Sequence, residues 1–562
     1  MKTLLKNGKV LNVFTGELEN ADVLIEDARV LGVGDYTDSD ADVVEDVAGK
    51  YICPGLIDGH IHIESTMLTP AELARVCVAH GTTAIVADPH EIANVSGVPG
   101  IRYMLEASEG LPMTVYVVLP SCVPATPHDE AGAVLSADDL RPLYDHPRVI
   151  GLGEVMNYVG VLAHDADLLQ KISDARERGK IVNGHAPLVT GRALDGYVAA
   201  GISDDHECSS ADEAKERVRK GQWVMIRQGT AARNLRHLLP LLDEPWWHRC
   251  LLVSDDKHPA DLLESGHIDA TIREAVRCGK SAVTAIRMAT LGAAQCLGLD
   301  GVGAVAPGYV ADLLVLDDLD GFAVRDVYRH GKRVVKDGVT LPFDAPTVDA
   351  ALERTVRHSF DLDELSAADL HLDGERGLCR VIRVIPDQLL TDEMIAELDL
   401  TQSNGVDVSR DILKLAVIER HHHTGHIGLG FIHGLGLTRG AIASSVSHDS
   451  HNLIVVGTNE QDMALAANRI RAMGGGNVVV EDGQVLAEMP LPIGGLMTDA
   501  DAAQAAAQNL AVRRAVERLG VADRIEPFMN MAFISLPVIP HLKMTTRGLI
   551  DVDTQTLLPL FV

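Results

Sequence analysis

What this sequence lacks narrows its reading first. Its eight cysteines (Cys53, Cys77, Cys122, Cys208, Cys250, Cys278, Cys296 and Cys379) include no C-x-x-C pair, so neither a zinc knuckle nor a disulfide framework is indicated, and the thiols read as small buried hydrophobes. No run of about 18 apolar residues occurs, and the first residues, MKTLLKNGKVLNVFTG, have neither the apolar stretch nor the small-residue cleavage site of a signal peptide. The expectation is therefore a soluble cytoplasmic protein with no membrane partner. Positive charge is scarce: 49 Lys and Arg stand against 80 Asp and Glu, a net charge of -31. Such a chain repels a polyphosphate backbone, so nucleic acid is not an expected partner, while an uncharged small molecule carries no such penalty. Internal repeats and low-complexity tracts are absent too.

What is present is an ordinary folded composition, 46% hydrophobic and 23% charged, on a chain too long for one core. Residues 1–50 alternate apolar and polar positions in short bursts broken by Gly, Asn and Asp, and residues 303–340 return to that texture. The two stretches are expected to pair into one small flanking β-sandwich domain. Between them, in residues 51–302, eight short apolar runs recur, each followed by a segment of helical periodicity: YICPGLID, TTAIVADP, MTVYVV, VIGLGEVM, KIVNGHA, ISDDHE, QWVMIRQG and CLLVSDD. Eight strands alternating with helices predict a TIM-type (β/α)8 barrel, whose chemistry sits at the C-terminal ends of its strands. Residues 341–378 read as an acidic connector with some helix. Residues 379–562, with apparent strands LIVVGT and NVVVEDG and two helices, read as a separate C-terminal α/β unit.

The first barrel run leads into GLIDGHIHIES, where His60 and His62 stand two apart, so both imidazoles point to one side of an extended chain. Ligand-type residues also end later runs: Glu154 in GLGEVM, His185 in VNGHA, His206 in SDDHE and Asp255 in LVSDD. Four His and two carboxylates at one barrel mouth can hold two divalent cations, with Glu154 bridging through its two oxygens.

PGLIDGHIHIES, followed by a fifth-strand His, a sixth-strand His and an eighth-strand Asp, resembles the amidohydrolase superfamily. Glu154 stands where many dimetal members carry a carboxylated Lys. The segments HIESTMLTP, DPHEIANVSG, NGHAP, GHID and APGYVADLLVL, and in the last unit ERHHHTGHIGLGFIHG, ASSVSHDSHN and PLPIGGLM, resemble the adenine deaminase family nearly end to end. The resemblance implies hydrolytic deamination of adenine to hypoxanthine and ammonia at a dimetal centre holding manganese, iron or zinc. One departure is RQGT at 227–230, where Gln228 stands in place of an expected acidic residue. Gln228 and Glu64 are candidates for substrate contact, and Glu64 also for support of the ligand histidines. The other deaminase solution, an H-x-E motif with a P-C-x-x-C pair, has no counterpart here.

Two cations lower the pKa of a shared water toward neutrality, which makes hydroxide available for attack on C6 of the base. Asp255 is then the candidate to take the proton and pass it to the departing amine. A donor is needed at a ring nitrogen, and His90 and Glu91 in DPHE are the candidates; the alternative is that both cap the helix that follows. His421, His422, His423 and His426, and the group His448, Asp449 and His451, either line the active site or serve structure and subunit contacts. The rival functions are an amidohydrolase of another base or cyclic amide and, in another class, a non-catalytic metal or purine binder. A symmetric homo-oligomer, dimer or tetramer, is expected.

Overall fold

A computed structural model describes residues 1–562 apart from 231, 386–389 and 522–525. Its first segment forms β1 (Lys2–Asn12), β2 (Glu17–Glu26), β3 (Arg29–Gly34), β4 (Val43–Asp46) and β5 (Tyr51–Pro54). The barrel strands follow as β6 (Leu56–Ile61), β7 (Thr82–Ala87), β8 (Thr114–Leu119), β9 (Val149–Val155), β10 (Ile181–Gly184), β11 (Asp204–Asp205), β12 (Trp223–Arg227) and β13 (Cys250–Val253). Each of the eight apolar runs read from the sequence contains one barrel strand or leads into it.

The chain then returns to the first layer with β14 (Leu313–Leu316), β15 (Val324–Arg329), β16 (Lys332–Lys336) and β17 (Val339–Thr340). β14 pairs antiparallel with β5, with Ile52 opposite Val315, so the two ends join in one nine-stranded sheet. Alternate residues of that sheet, among them Leu5, Val10, Val23, Ile25, Ile52, Leu313 and Val315, share a core of their own, as the period-2 patterning requires.

The barrel strands pair in parallel, β6 to β10 in one arc and β11 to β13 in another. The arcs join where Ser203 N–H donates to Val182 O at 2.9 Å and where Ile61 bridges Asp255 in parallel register. Helices between strands start on ordinary caps: Thr69 accepts from Glu72 N–H ahead of Pro70, and Asp165 and Ser210 do the same for their helices. The strands are short and buried on both faces, which is why they read as continuous apolar runs.

Residues beyond 375 form β18 (Arg376–Val384), β19 (Thr391–Asp399), β20 (Ile412–Ile418), β21 (Ile427–His433), β22 (Ala441–Ser444), β23 (Leu453–Gly457), β24 (Gly476–Glu481) and β25 (Gln484–Pro490). They make an eight-stranded sheet ordered β19-β18-β21-β20-β23-β22-β24-β25. Along β20, Leu413, Leu415 and Val417 join the main core, while Ala416 and Ile418 pack beneath the helix Glu460–Met473. Both faces are thus covered.

One buried carboxylate clasps the barrel where β13 meets β6. Asp58 accepts the Ser254 N–H at 3.1 Å, the Ser254 hydroxyl, and the His60 N–H at 3.3 Å; His267 Nε2 lies 2.9 Å away. Removing one side of a buried pair costs about 3–5 kcal/mol. Asp58→Ala should therefore lower the thermal unfolding midpoint by at least a few degrees in scanning calorimetry, and an unshifted midpoint would remove the clasp from the account of barrel closure.

Candidate active site

The barrel strands deliver the chemistry at their C-terminal ends. His60 is the penultimate residue of β6 and His62 follows it, Glu154 is the penultimate residue of β9, and His185, His206 and Asp255 lie just beyond β10, β11 and β13. Along β12 and β13, Met225, Leu251 and Val253 fill one barrel cluster, and the same alternation carries Arg227 and Asp255 on to the mouth. Asp255 takes a left-handed backbone, φ 59°, where Asp is among the residues that tolerate it.

All six sequence-predicted ligands come together around Glu154. Its Oε1 is 3.3 Å from His62 Nε2 and 3.3 Å from His90 Nδ1. Its Oε2 is 2.6 Å from His185 Nδ1 and 3.1 Å from His206 Nε2. The two oxygens therefore face different imidazole sets, the geometry of a bridging carboxylate. Asp255 Oδ1 stands 3.1 Å from His62 Nε2 and 3.5 Å from His60 Nε2. Donor atoms of His60, Glu154 and His206 lie within 4.8 Å of one another, as do those of His60, His62 and Asp255.

These residues fit divalent cations on two observations. His62 Nδ1 lies 3.0 Å from the Asp88 carbonyl oxygen, to which it donates; this turns the Nε2 lone pair toward two carboxylate oxygens, a contact that a cation between them makes favourable. Both ring nitrogens of His60 and Nδ1 of His206 are buried without a hydrogen-bond partner, and orphaned buried groups are rare without a reason. The electrostatics agree. Burial pushes the Glu154 carboxyl up, but the His185 and His206 imidazoles hold it well below the usual carboxylate range. Burial likewise opposes charge on Asp255, but the Arg227 guanidinium together with His60, His62 and His206 holds it well below the usual carboxylate range.

Three functional neighbours were not singled out from the sequence. Arg227 Nη1 donates to Asp255 Oδ2 at 2.7 Å and also to Glu207. Glu207 Oε1 in turn lies 3.5 Å from His206 Nε2. Asp88 Oδ2 accepts the Glu154 N–H at 2.9 Å, an approach that needs Gly153, since a Cβ there would meet Asp88 Oδ2 at 2.1 Å. The available signals were an Arg closing the apolar run WVMIR and an acid directly after His206.

The remaining predicted residues divide. Glu91 begins no side-chain cap on the helix His90–Ala107; its Oε1 lies 2.7 Å from the Ser65 hydroxyl oxygen, and its atoms group with those of His62 and His90. It is Glu64 that accepts a backbone donor of that helix, Ile92 N–H, at 3.2 Å. Gln228 turns to the loop, where its Oε1 accepts the Leu235 N–H at 3.4 Å. The histidine clusters of the last unit part company: His422 Nε2 meets Ala131 O at 2.9 Å and His426 Nδ1 meets Glu130 at 2.8 Å, both on the loop after β8, whereas His448 and Asp449 reach the barrel mouth. His423 is exposed beside Asp361 and Asp363.

Because Glu154 faces both imidazole sets, Glu154→Ala should bind clearly less divalent metal than the unaltered protein by elemental analysis, with circular dichroism unchanged. An unchanged metal content would move the centre elsewhere.

Among the described residues no helix is long and apolar enough to cross a membrane. The Amidohydrolase family matches residues 51–334 and the Adenine deaminase C-terminal domain matches residues 388–556. Adenine deaminase 2 of Carboxydothermus hydrogenoformans is 46% identical over 559 residues, 99% of this chain and 96% of that one. Adenine deaminases of Nitratidesulfovibrio vulgaris (47%, 98% and 95%) and Geobacillus kaustophilus (43%, 99% and 96%) align at similar length. Among solved structures, an enamidase titled a member of the amidohydrolase superfamily aligns with 17% identity and a TM-score of 0.47, over 62% of this chain and 100% of that one. With identity above two-fifths running from the first sheet through the barrel to the last unit, the chain belongs to the adenine deaminase family of amidohydrolases.

Proposed function

We propose that this protein hydrolyses the exocyclic amine of adenine, giving hypoxanthine and ammonia. The observation that carries the reading is the end-to-end likeness to adenine deaminases, over 98–99% of this chain, joined to a mouth whose Glu154 faces two imidazole sets. His60, His62, Glu154, His185, His206 and Asp255 would hold two divalent cations, and their nitrogen and oxygen donors suit manganese, iron or zinc. Cations held there would supply hydroxide near neutral pH by acidifying water.

The chain's own groups do the rest. Arg227 occupies Oδ2 of Asp255, so Oδ1 alone faces the histidines. That oxygen accepts the proton of the attacking water and returns it to the departing nitrogen, which leaves as ammonia. A proton for the ring nitrogen is available on Glu91, and the second proton of the water, released as the carbonyl forms, restores it. The Ser65 hydroxyl lies 2.7 Å from Glu91 Oε1 and 2.6 Å from Asp256 Oδ1. With one hydrogen it serves only one of them, so the other contact calls for a protonated carboxyl. Burial, and next the Glu64 carboxylate, push Glu91 up to about 8, which makes Glu91 the holder. His90, between Glu154 and Asp449, extends the polar wall beside it.

The same reading takes residues 1–50 with 303–340, 51–302 and 379–562 as three units about a connector at 341–378, and places the enzyme in the cytoplasm as a homodimer or homotetramer. Loaded with manganese or iron, the purified protein should release ammonia from adenine. Asp255→Asn should retain metal and lose about 10²- to 10⁴-fold in kcat. No ammonia from adenine, with turnover of a cyclic amide or another base, would discard the substrate.

A further inference from the structure

The turn His448–His451 of the last unit sits over the barrel mouth with its side chains almost wholly buried. His448 Nδ1 is 3.7 Å from Glu91 Oε1, and Asp449 Oδ1 is 3.7 Å from His90 Nε2. One donor atom each from Glu91, His448 and His451 lies within 4.8 Å of the others, and the same holds for His90, His448 and Asp449. Four atoms of this group are buried without a hydrogen-bond partner: His90 Nδ1, which faces Glu154, and Glu91 Oε2, Asp449 Oδ2 and His451 Nε2.

Their chemistry can be assigned. His451 Nδ1 is 3.2 Å from the Ser447 N–H and accepts from it, so in the neutral ring the hydrogen lies on Nε2. An Nε2–H is a donor and offers no lone pair, which argues against His451 as a metal ligand. Asp449 Oδ2 is an acceptor. Glu91 Oε2 is the other oxygen of the carboxyl whose proton faces the Ser65 hydroxyl, so it too is an acceptor. The His448 ring stacks on Phe533, centroids 4.4 Å apart at 17°. Beside it runs a cavity between Ser65 and Met67 of the barrel and Val446, Phe528 and Met529 of the last unit. One donor, two acceptors and an apolar wall beside the reacting end complement a flat heterocycle that has ring lone pairs and N–H groups, one of them in the ring.

We infer that the turn His448–His451 reads the substrate's heterocycle: His451 Nε2–H donates to a ring nitrogen, and Asp449 accepts the N–H of the five-membered ring. That N–H exists in a free purine base and is absent from a base substituted at that nitrogen, so Asp449 selects free bases over nucleosides. The inference rests on the adenine reading. It makes the last unit part of the specificity site, with His448 and Phe533 as its wall.

The test begins with the unaltered, metal-loaded enzyme on adenine, 9-methyladenine and adenosine. Activity on adenine, with both substituted bases poorer by about 10²-fold or more in kcat/KM, is the expected result. Absence of activity on adenine sinks the function itself, while equal turnover of adenine and 9-methyladenine overturns only the role of Asp449. Asp449→Ala should then lower kcat/KM for adenine, shrink the preference over 9-methyladenine at least tenfold, and leave the metal content unchanged. Loss of metal, or an unchanged preference, overturns the assignment. His451→Leu should raise KM with kcat changed less, and His451→Gln, which keeps a donor, should recover part of the loss; equal effects of the two overturn the donor role.

Discussion

Everything in the barrel mouth depends on one constraint: two carboxylates and four imidazoles share a space largely closed to bulk solvent. Glu154 is 3% exposed, Asp255 2% and His60 0%. Taking an ionised carboxylate out of water costs several kcal/mol after relaxation, and the cost is offset only by closely placed opposite charge and fully used hydrogen bonds. The neighbouring side chains meet that demand in a set order. Asp88 fixes Glu154 through its backbone and His62 through a carbonyl. Arg227 answers one oxygen of Asp255. Asp58 holds the two strands that carry His60 and Asp255. The lone pairs left over converge on each other, an arrangement that cations complete.

Closing such a site needs a second surface, and the last unit supplies it with an interlock. Glu130, on the loop after β8, is held by Thr546, His426 and Arg547, and its carbonyl accepts from Asn452. Arg420 binds the His451 carbonyl and, at 2.9 Å each, those of Gly494 and Ser359, with its guanidinium 4.3 Å over the Phe360 ring. Burial alone drives this arginine down to about 9, an environment held together by its carbonyl partners. The histidine-rich segment 421–426 thus anchors the turn 448–452, with His421 Nε2 meeting the Ser450 carbonyl at 2.7 Å.

How much of this could be read beforehand follows from range. His60 and His62 are legible because strand geometry alone puts residues two apart on one face. The eight runs are legible because parallel strands buried on both sides carry unbroken apolar residues, and the terminal Glu154, His185, His206 and Asp255 follow from where a barrel keeps its chemistry. Arg227 was hidden, since its meaning comes from Asp255, 28 residues on, and Asp58 from Ser254, 196 residues away. The helix cap was out of reach of local spacing: adjacency ties Glu91 to the helix start, yet Glu64 takes the Ile92 N–H from another strand's loop. The joining of His426 to Glu130 spans 296 residues, and no local pattern reports such a pairing.

The division between barrel and last unit follows from how little a purine base offers. With about ten non-hydrogen atoms it brings limited contact area, so affinity from burial alone is modest. Discrimination has to come from polar atoms at its edge, because a site built around a particular N–H leaves a buried group unpaired when that N–H is missing, and this penalty is far larger than the loss of apolar contact. The barrel cannot provide all those groups, since its strand ends are committed to Glu154, Asp255 and the histidines. A surface packed over the mouth can. Asp449 and His451, buried yet unpartnered at Oδ2 and Nε2, stand where that requirement falls, and their anchoring through Arg420 and Glu130 holds them rigid enough for an unpaired edge to be felt as a loss of rate.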